Sequence, residues 1–189
     1  MLNFVRRMRP RVRDLPLVII KLKENTMKNK NVLFLTQAAM IAALYVVLTF
    51  VANALGLASG TIQVRFSEAL TILPYFTPAA IWGLFIGCIL SNTLTGCLLF
   101  DIIFGSIATL LGGLGTYALR KFKWLAPLPP IIANTIIVPF VLIFAYEAGP
   151  LSSYPFFALT VGIGEVISCY VLGMPLLFVL NKHKNRLFL

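Results

Sequence analysis

Apolar residues do not alternate with polar ones along this chain. They come in six blocks, divided by short breaks rich in proline, glycine or charge. The blocks cover about 32–55, 68–77, 78–96, 101–119, 125–146 and 155–180, and unbroken apolar runs of this kind predict membrane helices, not strands. The second block is the odd one. Pro74 and Pro78 cut it short in the stretch VRFSEALTILPYFTPAA, and Arg65 and Glu68 stand at its mouth. About ten helical residues reach about 15 Å, against a bilayer core about 30 Å thick. The expected fold is an all-α membrane protein, a bundle of six transmembrane helices with a short second helix.

Composition supports the membrane reading. The 189 residues are 59% hydrophobic and 12% charged, whereas soluble domains are about a quarter charged. The net charge of +10 matters less than its placement. Basic clusters mark the cytoplasmic side, and they stand at Lys28/Lys30, Arg120–Lys123 and Lys182–Arg186. All three share one side only if an even number of crossings separates them, so the short block must itself cross. Both termini are then cytoplasmic, in a multi-pass cell-membrane protein. Non-helical or shortened backbone at that depth is tolerated only where protein covers it or it lines a cavity. A short helix therefore predicts a cavity.

Residues 1–26 hold seven Lys/Arg against Asp14 and Glu24. This 1–27 segment reads as a basic N-terminal extension, either a mis-called start ahead of Met27 or a dispensable tail. The membrane domain is 28–186. A basic tail beside membrane helices fits anionic lipid, and nucleic acid is not expected as a partner. The three cysteines are odd in number and lack CxxC spacing, and His183 is the only histidine. No disulfide frame, metal site or cofactor is expected.

Between Asn31 and Leu180 the acids are Glu68, Asp101, Glu147 and Glu165. Glu165 sits about 15 Å into the last helix, and a carboxylate at that depth marks a functional site by default. Its small and polar stripe, Ala158, Gly162, Ser168 and Cys169, should face the bundle interior. Glu68 suits a helix start, capped by Ser67 and paired with Arg65; equally, it can accept two hydrogen bonds from a planar N–H edge. Asp101 either caps the fourth helix or joins Arg65 and Asn92 around an outward-opening acidic cavity. Asn134 reads as interhelical glue, Glu147 as a solvated loop charge. The first helix carries Ala38/Ala42 and Ala39/Ala43, two small-xxx-small pairs that permit close helix approach; Gly83 and Gly87 do the same in the third.

The stretches RFSEALTILPYFTPAAIWGLFIGCILSNTLTG, DIIFGSIATLLGGLGTYALR and GEVISCYVLGMPLLF resemble the queuosine-precursor transporter family, QueT, over about residues 28–182. Its members are substrate-binding S-components of energy-coupling-factor transporters. The resemblance implies a six-helix S-component fold with a pocket near the outer face. It also implies a deazaguanine ligand. A guanine-like edge suits one carboxylate and an aminomethyl group a second. Glu68 and Glu165 would divide these tasks, with Asp101 third and Arg65 or Asn92 at the carbonyl edge. Phe66, Tyr75, Phe76 and Trp82 either stack on the base or anchor at the lipid interface. The family resemblance gives Ala38, Ala39, Ala42 and Ala43 a second role, docking on a transmembrane coupling subunit, with two ATPase subunits supplying energy. This chain has no GxxxxGK[ST] motif of its own, and no HExxH or GxSxG, so no ATPase or hydrolase chemistry is expected of it. The alternatives are an S-component for another vitamin or base, a stand-alone secondary transporter, and a membrane-embedded enzyme using Glu68 and Glu165.

Overall fold

The structure, a computed structural model, describes residues 15–57 and 63–184, with side chains from residue 29 onward. The Arg6–Arg13 cluster, the Lys28 side chain, loop residues 58–62 and the Arg186 end of the last basic cluster lie outside the described residues. The chain divides into two compact units, Met1–Thr36 and Gln37–Leu189. In the first, the described residues are helical, with Thr36 Oγ1 bonded back to the Val32 carbonyl at 2.8 Å.

All regular structure among the described residues is helical: α1 (Leu15–Ala54), a short helix (Phe66–Tyr75), α2 (Ala79–Leu94), α3 (Leu99–Ala118), α4 (Leu128–Phe144), a 3-10 turn (Leu151–Ser153), α5 (Tyr154–Val166), a π-helical segment (Ile167–Leu172) and α6 (Gly173–Lys182). Three stretches are long and apolar enough to span a bilayer: Asn29–Ala54, Leu99–Ala118 and Leu151–Lys182; Ala79–Leu94 and Leu128–Phe144 are shorter apolar helices. Large apolar side chains such as Met40, Val47, Leu94, Phe104, Ile132 and Leu159 point outward. Without lipid such a surface would aggregate, so the chain is a helical membrane protein.

The short helix is 3-10, not α. At about 2.0 Å per residue it reaches about 20 Å, further than α geometry would allow. Ten residues is long for a 3-10 helix, and its burial explains how it persists: Ser67 to Pro74 are all buried. It packs against α2, α3, the π segment and α6, so its backbone is covered by protein. Leu70 and Leu73 join Ile41, Tyr45, Ala80 and Leu84 in one apolar core, and Ile72 joins Met174 and Leu177 in another. Ser67 does not cap this helix, contrary to expectation. The helix starts at Phe66 after an extended Arg65, and Ser67 Oγ is buried without a partner.

Glycines set the spacing between helices. A Cβ on Gly83 would stand 2.7 Å from the Ala38 carbonyl oxygen, and one on Gly87 2.8 Å from Tyr45 Cβ and 3.1 Å from Ala42 Cα. The α1–α2 contact is thus built from Ala38 and Ala42 on one side and two glycines on the other. Ala38 and Ala42 are buried in it, while Ala39 and Ala43 are exposed. Leucine at Gly87 is expected to destabilise the bundle by about 1–3 kcal/mol. A thermal midpoint in detergent equal to wild type would contradict this packing.

Candidate functional site

Five separate elements carry the polar residues singled out by sequence. Arg65 lies in the extended segment before the short helix, Glu68 in that helix's first turn, Asn92 near the end of α2, Asp101 in the first turn of α3, and Glu165 near the end of α5. The extended segment is fixed by contact with α5. The Gln63 backbone lies so close to Gly164 that any Cβ there would collide with the Gln63 carbonyl oxygen. One turn on, the Arg65 N–H donates to Ser168 Oγ at 3.3 Å, and Ser168 Oγ–H donates to the Gly164 carbonyl at 2.9 Å. The π segment follows directly and brings adjacent Ser168 and Cys169 both inward. Such wide turns recur at functional sites.

Two adjoining cavities result. The larger, about 310 Å³, sits where the chain leaves α1, α2 and α4; its charged lining is Arg65 and Asp101, with Asn92, Thr49 and Tyr146 around them. That volume is at the low end of the ~300–1,000 Å³ usual for small-molecule sites. The smaller, about 20 Å³, is lined by Glu68, Glu165, Thr109 and Asn134. Gln63, Arg65 and Val138 border both. Two lateral recesses are roomier, about 690 and 530 Å³, but carry no charged side chain. Lipid tails suit such surfaces.

The acids are buried: Glu68 is 2%, Asp101 6% and Glu165 8% exposed. Glu68 does not form the exposed helix-start pair with Arg65 that the sequence allowed. The Tyr45 hydroxyl donates to its Oε1 at 2.5 Å, and its Oε2 has no hydrogen-bond partner. The Cys169 thiol lies 3.6 Å from Glu165 Oε2 and 3.6 Å from the Glu68 carbonyl oxygen, so it links the two acid-bearing elements. Asp101 accepts from the Tyr146 hydroxyl at 3.2 Å, and Asn92 Nδ2 donates to the Asp101 backbone carbonyl at 3.4 Å. Tyr146 lies beyond the end of α4. Burial, with Asp101 adding, pushes its hydroxyl up to about 12, so it remains a donor at neutral pH. Arg65 lies within electrostatic reach of both Asp101 and Glu68.

Sequence reasoning missed Tyr45 and Gln63; Asn134, read as interhelical glue, lines the smaller cavity and reaches from α4 to the Glu165 carboxyl of α5. A phenol in the middle of an apolar helix was the available signal for Tyr45. The stripe on the last span divides: Glu165, Ser168 and Cys169 are buried, whereas Ala158 and Gly162 border a lateral recess with Thr135. The reason is the close approach of Gly162 to Thr135 of α4. Trp82 is exposed, and Tyr75 and Phe76 pack against the Ile72–Leu177 core; the aromatic residue at the larger cavity is Tyr146. Glu147 is exposed in a loop, with φ of 50°. No group of three potential metal ligands occurs among the described residues.

A family model described as "QueT transporter" matches residues 35–182. A curated relative, "Queuosine precursor transporter QueT" of Lactococcus lactis subsp. cremoris (strain MG1363), is 35% identical over 98 residues, covering 51% of this chain and 57% of the relative. The match thus spans little more than half of that relative's length. No solved structure matches the chain.

Proposed function

The chain belongs to the QueT transporter family, and from that premise we propose that it is the substrate-binding subunit of an energy-coupling-factor importer. It captures a deazaguanine precursor of queuosine at the outer face of the cell membrane. A transmembrane coupling subunit and two ATPase subunits then drive delivery inward. Six crossings, with both termini cytoplasmic, place the larger cavity outside. The membrane domain is 28–186, and residues 1–27 are an extension not needed for capture.

One observation carries this reading. Three carboxylates and one guanidinium, from four different elements, converge on two adjoining cavities in a bundle whose other described buried side chains are uncharged. Buried charges at membrane depth are costly and are kept where they serve a ligand. Carboxylates match the N–H donors of a guanine-like edge, and Arg65 or Asn92 its carbonyl. The larger cavity has the volume for one small planar molecule.

For the partner, the geometry favours the outward alanine pair. Ala38 and Ala42 are occupied by α2, while Ala39 and Ala43 present a small-residue face toward the membrane. Close helix approach needs such a face. Replacing Ala39 and Ala43 together with leucine is expected to leave deazaguanine affinity within about threefold and to abolish co-purification with the coupling subunit and ATPases. If wild-type chain tagged in its native membrane brings down no such subunits, the importer reading fails.

A further inference from the structure

We propose that the small cavity between Glu68 and Glu165 is a subsite for a protonated primary amine on the ligand, with the planar ring held in the larger cavity above it. This rests on the deazaguanine reading and assigns the tasks that the sequence left undivided. Size is the first argument. About 20 Å³ is room for a group of water size, which needs at least about 10–15 Å³, and an ammonium is such a group. A bicyclic base does not fit there, but the adjoining cavity is some fifteen times larger.

The hydrogen-bond inventory is the second argument. Glu68 is 2% exposed, Tyr45 holds its Oε1, and its Oε2 has no donor. A buried carboxylate oxygen without a donor is expensive. Glu165 Oε2 accepts the weak Cys169 S–H at 3.6 Å, and the Asn134 side chain also reaches this carboxyl. An ammonium brings three donors and a charge, and charge-assisted bonds to carboxylate are about twice as strong as neutral ones. Formal charge agrees. The two cavities are lined by Glu68, Glu165 and Asp101 against Arg65 alone, a net of −2 that one ammonium halves. The ring's N–H edge then falls to Asp101, which Tyr146 orients from Oδ2. Tyr45 acts as a positioning residue, since it fixes which Glu68 oxygen meets the amine.

The test is equilibrium binding of 7-aminomethyl-7-deazaguanine and its neutral counterpart, 7-cyano-7-deazaguanine, to the purified full chain. The wild type should prefer the amine by at least about tenfold, or 1.4 kcal/mol. Glu165→Gln should weaken the amine by a similar factor and change the nitrile by less than about threefold, which removes the preference. Asp101→Asn should weaken both alike. Equal wild-type affinity for the two, or equal losses in Glu165→Gln, would overturn the subsite while leaving the deazaguanine reading intact. Binding of neither compound would overturn that reading and the subsite with it. If Glu165→Gln does not fold, the wild-type comparison decides alone.

Discussion

Valine at Gly164 is expected to abolish detectable ligand binding, although the residue bears no side chain to touch a ligand. The Gln63 backbone lies directly over it. The obstructing atoms are main chain, with the Gln63 carbonyl carbon 3.1 Å and its nitrogen 3.5 Å from a would-be Cβ, so no rotamer change relieves the clash. The extended segment must lift away from α5. That breaks the bond from the Arg65 N–H to Ser168 Oγ and withdraws Gln63 and Arg65, which border both cavities. Overpacking of this kind costs about 1–3 kcal/mol in stability. Affinity should fall at least about a hundredfold, or 2.8 kcal/mol, in a protein that still purifies as a folded monodisperse species. Wild-type affinity in Gly164→Val, measured by titration calorimetry, would show that the Gln63–Arg65 segment does not build the site.

The second large effect is expected at Glu68. Glutamine there keeps the shape, and its amide oxygen can still accept from Tyr45. What is lost is the charge, and one acceptor becomes a donor. Because Glu68 is 2% exposed and its Oε2 accepts no hydrogen bond, no neighbouring donor or solvent makes up for the lost acceptor. Deazaguanine affinity should fall at least about tenfold, or 1.4 kcal/mol, with the thermal midpoint unchanged or raised. A rise is reasonable because removing a buried charge with one unsatisfied oxygen removes a desolvation cost. Unchanged affinity would mean that Glu68 is a structural acid serving Tyr45 alone.

The helical class and the burial of the short segment were legible in the sequence, and for simple reasons. Run length distinguishes membrane helices from strands. Proline and glycine mark their ends: Pro78 and Pro127 stand immediately before α2 and α4, and Gly96 follows α2 with φ of 74°. The rare acids were visible because no other side chain in those runs is charged at neutral pH. Less accessible was the rotation of each helix about its axis. In lipid both faces are apolar, so polarity does not separate Ala38 and Ala42, buried against α2, from Ala39 and Ala43, which are not. The same lack of contrast hid Tyr45. The 3-10 geometry of Phe66–Tyr75 and the π turn after Glu165 are imposed by packing, and tertiary context overrides local propensity in such places. The Ser67 cap failed for that reason: burial against neighbouring elements moved the helix start to Phe66.

The central claim is that buried carboxylates in these cavities hold a deazaguanine base. Mass spectrometry of small molecules released from the chain, purified from its native membrane without added ligand, tests it most directly. A deazaguanine released by wild type in near-stoichiometric amount, and depleted at least about tenfold in Glu68→Gln, is the predicted result. Recovery of an unrelated vitamin, or equal deazaguanine from both proteins, would contradict it.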